Sequence, residues 1–208
     1  MIGDGIGRNG SLSTSSSDIV KNRRYAVIGI LDSACAVVVR RLQKATTLRT
    51  GNDLALRFPT HVTLRGRFLG TPKDVKHAFL RTRYRLSVPP QFVLIGPIFK
   101  HPELLWLTVD PAGPGHRMLA KLHQAFSAGL LPAIKHDETP KKYVGNGYVP
   151  HVTLGWGATL GLANERKPEQ VVRLSCSISE IGLAEYPDDW PASGKVHVIS
   201  RWKHQQYK

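Results

Sequence analysis

Along most of the chain the apolar residues follow one of two rhythms, the two-residue repeat of strands or the three-to-four-residue repeat of helices. RYAVIGILD (24–32) is a short, β-branched, apolar run and predicts a buried strand. SACAVVVRRLQKAT (33–46) predicts a helix with Asp32 or Ser33 as its cap. LALRFPTHVTLRGRF (54–68) alternates as a strand from about His61. Pro72 then opens PKDVKHAFLRTRYRL, a helix with Pro in its first turn and Asp74 nearby. QFVLIGPIF (91–99) and LLWLTVD (104–110) predict strands, the second closing at Asp110-Pro111. HRMLAKLHQAFSAGLL (116–131) is amphipathic, with Met118, Leu119, Leu122, Phe126 and Leu130 at helical spacing. Residues 132–147 read as a loop with basic residues. YVPHVTLGWG then carries a further strand. Residues 171–186 and 195–204 read as closing strands, joined by the turn PDDWPASG. Strands and helices are mixed in both halves, which is an α+β pattern.

The tetrad HVTL occurs in each half: His61-Val62-Thr63-Leu64 and His151-Val152-Thr153-Leu154. Side chains two apart on a strand share a face. His61 and Thr63 therefore point one way, and Val62 and Leu64 the other way, into a core. The same holds for the second copy. If the two strands lie together, two imidazoles and two hydroxyls converge on one pocket. Imidazole titrates near neutrality, so one ring can take a proton from a nucleophile while the other gives one to a leaving oxygen. Displacement at phosphorus needs both jobs, and the two hydroxyls can donate to the phosphate oxygens. A histidine on a strand is more often a satisfied structural residue, and metal binding is the rival chemical use. There is no HExxH, no carboxylate at ligand spacing beside either tetrad and no Cys pair, so neither a metal nor a cofactor is expected.

The charge balance adds a partner class. Lys and Arg number 29 against 15 Asp and Glu, a formal charge of +14, with a pI near 10.1. Such a chain favours polyanions, RNA first, although solubility alone is the plainer account of a basic composition. The 208 residues suffice for one domain with a sizeable core. The longest apolar runs, such as AVIGIL at 26–31, are far too short to span a membrane. Residues 1–22 are Gly/Ser-rich and read as a flexible tail ahead of a single domain at 23–208. They lack a signal peptide's apolar centre, and Asp4 and Asp18 argue against a transit peptide. Cys35 and Cys176 have no CxxC spacing and read as reduced thiols of a cytoplasmic protein. A monomer without membrane partners is expected.

With its doubled H-x-T-x motif, the sequence resembles the 2H phosphoesterase superfamily, which includes 2′-5′ RNA ligase-like proteins and cyclic nucleotide phosphodiesterases. The likeness runs from about residue 24 and takes in the first strand, the motif spacing, the lead-in Tyr148-Val149-Pro150-His151 and the closing strands. It implies a bilobal α+β fold: two pseudo-symmetric antiparallel-sheet lobes, helices outside and the active cleft between. By motif it assigns His61, Thr63, His151 and Thr153 as the catalytic set. The implied activity is opening of 2′,3′-cyclic phosphates, or hydrolysis of 2′-5′ linkages, at RNA ends or in small nucleotides. Ligation, the reverse reaction, and a non-catalytic nucleotide-binding module are the alternatives. Many relatives carry a basic residue at the second position after the second motif, whereas this chain has Gly155-Trp156.

Four further residues are candidates for substrate binding, each with a plainer reading. Tyr148 and Trp156 can stack on a base or fill the core. Arg65 and Arg67 reach the face of His61 and Thr63 if the strand runs unbroken, and otherwise form a solvated strand end. Lys141, Lys142 and Tyr143 can guide a nucleic-acid backbone or form a solvated loop. His77, His101, His116, His123, His136, His197 and His204 have no matching context and read as surface or packing residues.

Overall fold

The computed structural model describes residues 22–83, 90–101, 104–156, 172–192 and 194–203. Among the described residues, eight strands and three longer helices follow one another as β1 (Arg23–Leu31), α1 (Ser33–Thr50), β2 (His61–Gly70), α2 (Pro72–Arg83), β3 (Gln91–His101), β4 (Leu104–Val109), α3 (Pro114–Leu130), β5 (His136–Asp137), β6 (His151–Trp156), β7 (Val172–Glu185) and β8 (His197–Lys203). Apart from Asn22, the expected tail lies outside the described residues, as does the end of the second predicted helix, 84–86.

The strands form one antiparallel sheet in the order β5-β2-β1-β7-β3-β4-β6, with β8 also on β7. The long β7 joins two lobes. Its first residues pair with β3, and its later ones pair with β1 and β8. The sheet curls so that β2 and β6, far apart along the strand order, come into contact.

The main core lies between the sheet and the helices. It includes Tyr25, Val27, Val39, Val75, Phe79, Leu119, Phe126 and Leu130. A smaller core on the opposite face gathers Ala26, Ile28, Phe58, Ala184 and Val196. The central strand β1 is thus buried on both sides, which is why its sequence is continuously apolar rather than alternating.

Local signals explain the helix ends. Asp32 caps α1 by accepting from the amide of Cys35 at 2.9 Å. The helix runs on past the predicted Thr46 to Thr50, and Gly51, in the left-handed conformation with φ of 70°, ends it. Pro114 sits in the first turn of α3, slightly ahead of the predicted start. Met118, expected on its buried face, is 40% exposed, whereas Leu119, Leu122, Phe126 and Leu130 are buried.

The expectation of two reduced thiols is overturned. Cys35, in the first turn of α1, and Cys176, on β7, form a disulfide with Cα atoms 5.5 Å apart. The two residues are 141 positions apart in sequence, and only the folding of β7 beneath the start of α1 brings them together. The cytoplasmic expectation drew on those thiols and loses that support. Among the described residues no helix is long and apolar enough to cross a membrane.

Candidate active site

The two tetrads occupy the starts of β2 and β6 and show the same burial alternation. Val62, Leu64, Val152 and Leu154 lie in the main core. His61, Thr63, His151 and Thr153 are half-buried on the other face. Pairing confirms this placement: His61 and Thr63 are opposite Ile30 and Ile28 on β1, and His151 and Thr153 are opposite Thr108 and Trp106 on β4.

Both imidazoles are held in one way. His61 donates its Nδ1 hydrogen to the carbonyl of Pro59 at 2.8 Å, and His151 donates its own to the carbonyl of Val149, also at 2.8 Å. A carbonyl can only accept, so each neutral ring carries its proton on Nδ1 and keeps a lone pair on Nε2. The acceptor in each case is the carbonyl two residues upstream, that of Pro59 itself for His61 and that of Val149, just before Pro150, for His151. Phe58 lies 5.0 Å from the His61 ring, and Trp106 lies 3.9 Å from that of His151.

Burial pushes both imidazoles down to about 4. The bonds to Pro59 and Val149 offset this in part. The charge of Arg40 deepens the shift at His61, and His61 deepens it at His151, so the two rings sense one another. Near neutral pH both rings are therefore uncharged, and a negative charge beside them would favour protonation of one. Sequence reasoning did not find Arg40. Its guanidinium donates to the carbonyls of Ala55, Leu56 and Phe58, the last at 2.6 Å, and so fixes the turn that leads into His61. Trp106 was also missed, since one aromatic in an apolar strand carries no local signal.

The remaining candidates have different surroundings from those the sequence suggested. The β1–β2 ladder shifts register twice, between the partners of Tyr25 and Val27 and again before Ile28. These bulges break the alternation, so Leu64 and Arg65 are both buried. Arg65 is 3% exposed and bonded to Asp137 and to the Thr139 hydroxyl, with its guanidinium over Phe68. Burial alone would raise the Asp137 carboxyl; Arg65 and the Thr139 amide outweigh it and hold that carboxyl below its usual range. Arg67 is exposed, 4.0 Å from Glu138. The Tyr148 hydroxyl donates to the carbonyl of Thr63 at 2.7 Å, and its ring stacks on His123 at 4.1 Å.

Trp156 is half-buried at the end of β6. Gly155 has a packing reason: a Cβ there would meet Cγ2 of Thr46 at 2.5 Å. Lys141–Tyr143 form one 3₁₀ turn; the Lys142 side chain lies outside the described residues.

Of the other histidines, His123 is 2% exposed and fully bonded. His77, His136 and His197 are exposed or half-buried, as is His116, while His204 and the His101 side chain lie outside the described residues. Two surface cavities, one between α2 and α3 and one beside the disulfide, contain none of the four motif residues. Among the described residues no three His, Cys, Asp or Glu side chains cluster as a metal site.

A two-lobed antiparallel sheet with a His–Thr strand in each lobe defines the class. The profile of the 2′-5′ RNA ligase superfamily matches residues 31–190, and the chain belongs to that superfamily. The fold is similar to that of E. coli LigT solved with NADP+, with a TM-score of 0.55 and 14% identity over 89% of this chain and all of that one. LigT with 3′-AMP gives 0.55 and 17% identity over the same shares. TT0787 of Thermus thermophilus gives 0.60 and 16% identity over 89% of this chain and 100% of that one. No curated protein sequence matches.

Proposed function

We propose that the chain is a metal-independent phosphoesterase that opens 2′,3′-cyclic phosphates or cleaves 2′-5′ linkages at RNA ends or in small nucleotides. The observation that carries this reading is the matched pair of imidazoles, each fixed through Nδ1 with Nε2 left to react. One neutral Nε2 takes the proton from an attacking water as its oxygen bonds to phosphorus. The other ring, protonated once the anionic substrate is in place, gives its proton to the departing ribose oxygen as the P–O bond breaks. The products are a phosphate monoester and a free hydroxyl, with both rings ready to be reset by water. Thr63 and Thr153 donate to the phosphate oxygens that gather charge. Either ring fits either role, since reversing the reaction exchanges them; with a ribose 5′-hydroxyl in place of water, attack on the cyclic phosphate breaks the bond to the 3′ oxygen and joins 2′-5′ ends, leaving a free 3′-hydroxyl.

The solved LigT complexes with 3′-AMP and ATP support a nucleotide ligand for this fold, and the net charge of +14 supports a polyanion. The test is incubation with 2′,3′-cyclic nucleotides in EDTA, with His61→Ala and His151→Ala as controls. A single nucleoside monophosphate, lost in both variants, is the expected result. Absence of turnover on cyclic and 2′-5′-linked substrates alike overturns the reading and leaves a binding module.

A further inference from the structure

Two buried polar side chains cross between the lobes. Gln43, on α1, is 3% exposed and donates its amide to the carbonyl of Thr153 at 2.9 Å. His123, on α3, is 2% exposed and donates Nδ1–H to the carbonyl of Leu64 at 2.8 Å. The helix after β1 thus packs on β6, and the helix after β4 packs on β2. The orders β1–α1–β2 and β4–α3–β6 correspond, and each brace leaves the third turn of its helix. Gln43 and His123 thus sit at corresponding places on their helices, while the carbonyl that matches that of Thr153 is that of Thr63, which accepts from Tyr148.

Burying an amide or an imidazole is costly where a leucine would pack at no such cost. Among the described residues no group bonds Oε1 of Gln43, and a buried amide bonded at one end only adds little to stability. What a leucine lacks is a directed bond. Among the described residues, β2 pairs at the motif positions with β1 alone, since β5 joins it at Phe68 and Leu69, and β6 pairs with β4 alone. Each motif strand thus has one ladder among the described residues, and a bond from outside that ladder limits its rotation about its own axis. Such rotation would swing the imidazole on that strand. Gln43 and His123 hold β6 and β2 respectively, and Tyr148, stacked on His123 with rings 4° from parallel, ties the neighbouring carbonyl of Thr63.

We propose that Gln43 and His123 are positioning residues that act crosswise: Gln43 aims His151 and His123 aims His61. This rests on the phosphoesterase reading. Displacement of a reacting group by about an ångström can cost about a hundredfold in rate while leaving substrate binding nearly intact.

The test uses Gln43→Met, which keeps the shape and removes donor and orphan oxygen together. His123→Leu removes the second donor, and His123→Asn keeps a donor near the position of Nδ1. Imidazole resonances are assigned through His61→Asn and His151→Asn. Gln43→Met is expected to shift the resonances and titration of His151 and to spare His61; His123→Leu does the reverse. With a cyclic nucleotide, kcat falls about 10- to 100-fold with KM within about threefold, Gln43→Met melts close to wild type, and His123→Asn regains most of the activity. Unchanged His151 signals in Gln43→Met, an effect on the ring of its own lobe instead, or a kcat that merely follows the melting temperature would overturn the proposal. If wild type turns over nothing, the phosphoesterase reading fails, and the crossed pattern of resonances still decides the braces. If His123→Leu does not fold, Gln43→Met and His123→Asn decide the question.

Discussion

The hydroxyl of Tyr148 donates to the carbonyl of Thr63, so the residue leading into one motif strand is bonded to the backbone of the other. Burial pushes its phenol well above the usual range, and it stays protonated as a donor. Tyr148→Phe keeps the stacking on His123 and strips Thr63 of that bond. A loss of about 1–2 kcal/mol is expected, read as a drop of roughly 2–8 °C in melting temperature. Base preference should not change, because the hydroxyl belongs to the scaffold; a switched base preference would restore Tyr148 to the substrate.

Thr63→Val and Thr153→Val remove a hydroxyl and keep the β-branched shape. Each should lower kcat by about 10²-fold, the usual cost of one donor to a transition-state oxygen. Steady-state kinetics on a cyclic nucleotide would reveal it, and a change in KM alone would mean ground-state binding only.

Stability should fall as pH drops from about 6.5 to 4. Both motif imidazoles are pushed down to about 4 in the fold from an ordinary 6.5. The unfolded chain therefore holds more protons across that window, and acid favours it. The effect is on the order of 3 kcal/mol per ring at most. Melting curves at pH 7 and pH 5 for wild type, His61→Asn and His151→Asn check it: each variant should lose part of the slope. Inorganic phosphate, by stabilising a protonated ring, should protect most at the acid end.

Reducing the disulfide should cost about 5 kcal/mol, from the chain entropy released by opening a loop of this length. Cys35 and Cys176 are 141 residues apart. Melting with and without a dithiol, with Cys35→Ala as a reference already lacking the bond, measures it. A reductant that leaves the wild-type melting temperature unchanged contradicts a buried, formed bond.

Gly155→Ala should destabilise by about 1–3 kcal/mol, since the added methyl meets Thr46. Thr46→Ala removes the methyl it would strike. The double variant should therefore be more stable than the sum of the two single losses implies, a coupling that denaturant titration of the four proteins can resolve.

The strands and helices were legible where burial follows a period. The alternation of HVTL was enough to turn His61 and Thr63 away from Val62 and Leu64, because a strand permits no other arrangement. The sequence could not show where the alternation stops. The bulges after Leu64 turn Arg65 inward to Asp137, and nothing local announces them. Gln43 was hidden for a related reason. It sits on the buried stripe of α1 with Cys35, Val39 and Thr46, yet its bonding partner is 110 residues away. His123 and the disulfide share this property, each being defined by a partner distant in the chain, and Arg40 reaches past the end of its own helix to a turn 15 to 18 residues on. His123 read as a packing residue, and it does pack, but its bond to Leu64 emerges only once α3 lies on β2.

β7 belongs to both lobes along one unbroken strand, so the width of the cleft is not set by a hinge. It is the accumulated curl of the sheet from β2 round to β6, and the side-chain bonds across the gap close that path into a ring. An arch tied at its feet does not open to admit its load. Under the proposed activity, the expected consequence is that a substrate enters a gap already near its working width, and that a nucleotide too bulky for that gap fails at binding rather than at chemistry.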